Sequence, residues 1–157
     1  MCKKMAAPNQ ADMKRGLRCL HYLKATESLG IQYTGEDPVK VFCDSNWGGP
    51  EENRLSRSGY AVMLNHGAIV FRSILQKVQA QSTAEAEHVA LAAATQDAVF
   101  VRQMLEEMSV YMRGPIPVLE DNNACIVYAN NDMTSQRGKH IDIKYHFIRT
   151  MVGMKII

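Results

Sequence analysis

The sequence predicts an α/β domain in which a mixed sheet, an antiparallel meander plus one parallel strand, carries helices on its faces. Three observations point there. Three strand-like runs follow one another between residues 39 and 73 with turn signals between them, the pattern of a meander. An alanine-rich run from about 83 to 108 has helical spacing. A short Val-Leu strand signal then comes after that helix, and a strand–helix–strand order makes a parallel crossover.

Each element carries its own signal. "QADMKRGLRCLHYLKAT", about 10–26, is helical, with Met13, Leu17 and Leu20 on one stripe and Leu23 beside them. Gly30 and the turn "TGEDP" separate this helix from the first strand. In "VKVFCD", 39–44, Val39, Val41 and Cys43 point one way and Lys40, Phe42 and Asp44 the other. "SGYAVMLNHGAIVFRS" reads as two strands with Asn65-His66-Gly67 at the turn. After the long helix, "GPIPVLED" supplies the strand carried by Val118 and Leu119, with Asp121 at its end. A short helix at about 123–130, a loop "NNDMTSQRGKH" and a last helix at 141–154 complete the order. The sheet is therefore expected to be mixed, with helices on its faces.

A length of 157 residues fits one domain with a real core. The net charge of +2 is too weak to define a nucleic-acid binder by itself. The basic residues do cluster, in the first 24 positions and again at Arg137, Lys139, Lys144 and Arg149. Cys2, Cys19, Cys43 and Cys125 are widely spaced, without a CxxC pair, which argues against zinc and for a reducing compartment. No apolar run reaches the roughly 18 residues of a membrane span, and the start "MCKKMAAPNQ" lacks the apolar stretch of a signal peptide.

Within "AQSTAEAEHVAL" two glutamates compete for attention. With Glu87 at zero on the helical wheel, Leu91, Ala94, Ala98, Val101 and Leu105 all fall within about 40° of it, so Glu87 is centred on the apolar stripe. Glu85 falls near 160°, on the polar face. Ser82-Thr83-Ala84-Glu85 also matches a capping box, which gives Glu85 a local task. A carboxylate on the sheet-facing stripe must be paired, protonated or metal-bound.

Asp44 and Asp121 end two strands. Ligands gather outside the C-terminal strand ends of open α/β sheets, and parallel neighbouring strands bring these two acids together beneath Glu87. Each Asp taken alone reads first as a turn former or cap. Three carboxylates so close raise one another's pKa unless a cation lies among them. Oxygen-only ligands suit Mg²⁺ or Mn²⁺. Two such ions, about 3.5–4 Å apart, can activate water and stabilise the leaving oxygen of a phosphodiester.

Beyond this reading, the chain resembles, nearly end to end, the ribonuclease H domain of copia-type retrotransposon Pol polyproteins with the connection segment before it. "KRGLRCLHYLKATESLGIQY" is similar to the family's KRILRYLKGT…GL-Y. "VFCDSNWGGPEENRLSRSGYAVMLNHGAIVFRSILQKVQAQSTAEAEHVAL" resembles DADWAGD…R-STSGY…I-W-S-KQ…V-LSSTEAEY-AL. "DNNACIVYANN" is similar to CDNQSAI-LA-NP, and "RGKHIDIKYHFIR" to RTKHIDIRYHFIRE.

The resemblance implies a ribonuclease H-like fold and Mg²⁺-dependent (or Mn²⁺-dependent) endonucleolytic cleavage of the RNA strand of RNA–DNA hybrids during reverse transcription. It implies Asp44, Glu87 and Asp121 as catalytic and metal-holding acids, Asp44 bridging two ions and the other two each helping to hold one. Arg137, Lys139, Lys144 and Arg149 could then track phosphates, and Asn122 and Asn123 could meet the minor-groove edge and 2′-OH groups of RNA. Residues 1–36 are expected to be the connection segment and 37–157 the ribonuclease H-like domain. The implied partners are the hybrid and the reverse transcriptase domain of the same polyprotein, with no membrane. The implied location is the cytoplasm, including virus-like particles, with the nucleus also open.

Three departures from the pattern matter. Asn46 stands where DADWAGD has its second Asp. Glu120 precedes Asp121 where the family has Cys, and strand alternation points it away from Asp121. The family's last strand and helix, with a fourth acid in an LADI-TK-like segment, are expected beyond Ile157. Asp142 in "HIDI" is the candidate substitute for that acid, against its reading as a helix-start residue. Trp47 is expected to pack in the core, and His140 and His146 to be surface or core residues. Asn46 and the end at Ile157 keep an alternative open: a catalytically impaired nucleic-acid-binding fragment of a decayed retrotransposon polyprotein.

Overall fold

The computed structural model describes residues 6–48, 54–131 and 139–157, with side chains of the last segment from 142 onward. The chain divides into two compact units, Met1–Gln32 and Tyr33–Ile157. The first holds helix α1, Gln10–Ala25. Asn9 caps it: Asn9 Oδ1 accepts from Asp12 N–H at 2.9 Å, and Asp12 Oδ2 accepts from Asn9 N–H at 3.2 Å. Two of the orphan donors of the first turn are satisfied in this way.

The second unit contains strands β1 (Lys40–Asn46), β2 (Arg57–Leu64), β3 (Gly67–Leu75) and β4 (Val118–Leu119), with helices α2 (Thr83–Glu107), α3 (Asn123–Asn130) and α4 (Lys139–Gly153). The sheet order is β3-β2-β1-β4. β2 pairs antiparallel with both β1 and β3, and β4 pairs parallel with β1. This is the predicted meander plus crossover.

The β2–β3 turn is tight because Asn65 and His66 both take positive φ, 50° and 64°, the two-residue geometry that matches strand twist. The alternation in β1 holds. Val39, Val41 and Cys43 are buried, whereas Phe42 and Asp44 are exposed on the other face. Phe42 pairs with Ala61 and Leu119, and Ala61 with Phe71, so an apolar row crosses the face that carries Asp44.

α2 packs on β1 and β2 through a face of small residues, Ala90, Ala94 and Ala98, which let the helix approach the sheet closely. Val101 and Leu105 continue that face, and Val41, Val62, Ile116 and Ile148 close the core around it. α3 and α4 pack against α2. At the far end of α2, the Arg102 guanidinium donates to the carbonyls of Gly114 and Ile156. Trp47 departs from expectation. It comes just after the end of β1, is 47% exposed, and donates from Nε1 to the Ala80 carbonyl instead of filling the core.

Candidate metal centre

Three elements converge at one end of the sheet. β1 presents Asp44 on its exposed face, opposite Gly59 of β2, so no neighbouring side chain crowds the carboxylate across the ladder. Asp121 lies two residues past β4, immediately before Asn122, the N-cap of α3. Glu87 comes from the second turn of α2. One ligand oxygen from each of Asp44, Glu87 and Asp121 lies within 4.8 Å of the others. Among the described residues this is the one such group of His, Cys, Asp or Glu.

Glu87 is only 6% exposed, and its Oε2 is buried without a hydrogen-bond partner. Such orphaned oxygens are rare in folded interiors and call for a reason. Burial pushes the Glu87 carboxyl up to about 7, the negative charges of Glu120, Asp44 and Asp121 push the same way, and Ser45 works against them. A hard cation among the three acids would supply the missing partner, and the all-oxygen set fits Mg²⁺ or Mn²⁺. An open hollow of about 650 Å³ runs beside the acids, walled by Phe42, Asp44, Ala61, Leu119 and Asp121.

Glu85 takes its expected local place with one change. Its N–H donates to Ser82 Oγ at 3.2 Å, but its carboxylate accepts from Gln81 N–H at 2.6 Å, one residue before the predicted target. It is also buried, at 7% exposure, where the helical wheel assigns it to the polar face.

Glu120 does turn toward the Cys43 side of the sheet, where its carboxylate finds two donors. Its Oε2 accepts from the Cys43 thiol at 3.2 Å and its Oε1 from Asn122 N–H at 3.1 Å. Burial, and then the Glu120 charge, push the Cys43 thiol far up, so it stays protonated and serves as the donor. This Cys43–Glu120 contact is not among the sequence-based expectations. The available signal is positional: each residue directly precedes one of the clustered Asp residues, so parallel neighbouring strands turn both to the same side.

The remaining candidates divide. Asn122 Oδ1 accepts from Cys125 N–H at 3.0 Å, which gives that side chain a capping task, while Asn123 opens α3 and is exposed. Lys144 is half-buried, and desolvation lowers its pKa. Arg149 is also half-buried. Arg137 and the side chains of Lys139 and His140 lie outside the described residues. Asp142 is exposed on α4, its Oδ2 3.6 Å from His146 Nε2, and it is not one of the clustered acids.

The sheet order, the crossover and the helices define a ribonuclease H-like α/β fold. LC11-RNase H1, isolated from compost by a metagenomic approach, has this fold: it superposes with a TM-score of 0.52 over 76% of this chain and 78% of its own, at 10% identity. In sequence the chain is homologous to a segment of retrovirus-related Pol polyproteins of copia-type transposons. It is 35% identical over 134 residues to the one from transposon TNT 1-94 of Nicotiana tabacum, covering 85% of this chain. It is 29% identical over 150 residues to the one from transposon RE1 of Arabidopsis thaliana, covering 94%. The chain spans about 10% of the length of each of these relatives. No protein-family model matches it.

Proposed function

We propose that this chain is the ribonuclease H domain of a retrotransposon polyprotein and cuts the RNA strand of RNA–DNA hybrids during reverse transcription. The observation that carries this reading is the cluster of Asp44, Glu87 and Asp121, with a buried Glu87 oxygen that has no protein partner. The fold and the Pol relatives support it.

Asp44, Glu87 and Asp121 would hold a divalent cation, Mg²⁺ or Mn²⁺, through one carboxylate oxygen each. Such an ion supplies Lewis-acid stabilisation of the phosphate and of the leaving oxygen. The protein's own part is to fix three oxygens at the rim of the hollow and to keep Gly59 opposite Asp44, so that a phosphate can approach. Asn123 is exposed beside Asp121 and can meet the 2′-OH groups that mark RNA. Lys144, Arg149 and the basic residues before them track the backbone. The reverse transcriptase domain of the same polyprotein is the expected partner, and the cytoplasm the expected place of action. Among the described residues no helix is long and apolar enough to cross a membrane.

The test is cleavage of a strand-labelled RNA–DNA hybrid. Glu87→Gln is expected to lower the Mg²⁺-dependent rate by about a hundredfold or more, since it removes a charge that acts on the reacting centre. Glu85→Gln should cleave nearly as the parent does. The reverse pattern would sink the assignment. Salt-sensitive hybrid binding without cleavage in either metal would favour a binding fragment instead.

A further inference from the structure

The parallel ladder between β1 and β4 pairs Val41 with Val118 and Phe42 with Leu119 and goes no further. Asp44 and Asp121 both lie two residues past its end, so the ladder does not fix their separation. Beyond it the Cys43 thiol reaches the β4 side, with the Glu120 carboxylate at 3.2 Å and the Leu119 carbonyl at a longer 3.8 Å. Glu120 accepts a hydrogen bond from the Cys43 thiol on one oxygen and from the backbone N–H of Asn122 on the other. Cys43 directly precedes Asp44, and Asn122 directly succeeds Asp121. Asn122 in turn caps α3 through Cys125 N–H.

We propose that Glu120 is a positioning residue, a clasp between β1 and β4 that sets the spacing of Asp44 and Asp121. Its consequence for cation binding rests on the function proposed above. Both Glu120 oxygens are already engaged, and Glu120 is not one of the three clustered acids, so it acts through its neighbours and not as a ligand. Losing a group that orients the ligands of a cation typically costs about 10–100-fold in affinity. A thiol is a weak donor, but a charged acceptor strengthens the bond.

Two readouts on the whole chain test this: Mn²⁺ affinity by calorimetry, and hydrogen exchange of the Asn122 amide by NMR. Cys43→Ala changes no charge near the acids, yet it is expected to weaken Mn²⁺ about tenfold. Cys43→Ser restores a donor and should recover most of that loss. Glu120→Ala should weaken Mn²⁺ at least as much, and adding Cys43→Ala to it should cost nothing further, as for two members of one contact. Asn122 exchange should quicken in Glu120→Ala and, to a smaller extent, in Cys43→Ala. If neither alanine variant changes Asn122 exchange, the clasp is wrong whatever the metal does. If Cys43→Ala leaves Mn²⁺ affinity intact while Glu120→Ala weakens it, Glu120 acts by charge alone and the positioning role is overturned. A parent chain that binds no Mn²⁺ would remove the metal centre, and Asn122 exchange would still decide the clasp.

Discussion

The His88 imidazole lies flat against the Tyr145 ring, with centroids 3.5 Å apart and planes 11° from parallel. The pair fastens α4 to the turn of α2 that carries Glu87, and both residues are buried. Tyr145→Ala should therefore destabilise the domain by about 3–5 kcal/mol, the range for deleting a buried aromatic ring. Tyr145→Phe, which keeps the ring, should lose much less. Urea unfolding of the two variants checks this.

Acidity at Glu87 makes the stability of the metal-free protein fall as pH rises. Its carboxyl is raised from 4.5 to about 7, so between those values the folded chain keeps a proton that the unfolded chain has lost. The folded state is favoured most below the lower value, and that contribution is lost as pH rises through the upper one. Melting from about pH 5 to 8 in chelator should show the decline, and Glu87→Gln should flatten it. Saturating Mg²⁺ should reverse it near the upper end, because the ion binds the ionised form.

Asp97 on α2 accepts from both the Tyr60 hydroxyl and the Arg72 guanidinium at 2.8 Å. Asp97→Ala strands the hydroxyl of a buried tyrosine and should cost about 1–3 kcal/mol. Tyr60→Phe removes the donor as well and should cost less. Burial, and then Asp97, hold the Tyr60 phenol at about 12. Asp97→Asn should lower that titration while leaving it above the ordinary tyrosine value, since burial remains. Tyrosinate absorbance against pH measures the shift.

The β2–β3 turn offers a stabilising change. His66 holds a φ of 64°, a conformation that costs most residues about 1 kcal/mol and glycine almost nothing. His66 also sits 3.4 Å from Asp37, but Lys40 already meets the same carboxylate oxygen at 2.7 Å. Exposed pairs of this kind contribute little. His66→Gly should thus raise stability by up to about 1 kcal/mol. A higher melting temperature near neutral pH is the expected result.

Much of the fold is legible in periodicity. The alternation of Val39, Val41 and Cys43 against Phe42 and Asp44 identifies both faces of β1. The wheel of α2 turns Glu87 toward the sheet, where it meets Asp44 and Asp121. The features that escape depend on neighbours remote in sequence or on chain paths between elements. Glu85 is buried and bonds back to the Gln81 N–H ahead of its helix, a contact that no helical wheel contains. Trp47 stays half-exposed because the strand ends just before it and its indole N–H turns to Ala80. Alternation assigns Glu120 a side, but its partner Cys43 becomes visible only once β1 and β4 are neighbours.

The brevity of β4 gives the acids a mechanical role as well as a chemical one. Asp44 and Asp121 sit on either side of the hairpin and the long helix in sequence, so an ion shared between them would close a ring containing most of the domain. Constraining a ring that large removes a great deal of freedom from the unfolded chain, whereas lengthening it further would add little. Such an ion would behave as a removable cross-link. Within the sheet, β4 is held by the fewest strand bonds, so without an ion the end built from β4 and α3 should open before the hairpin does.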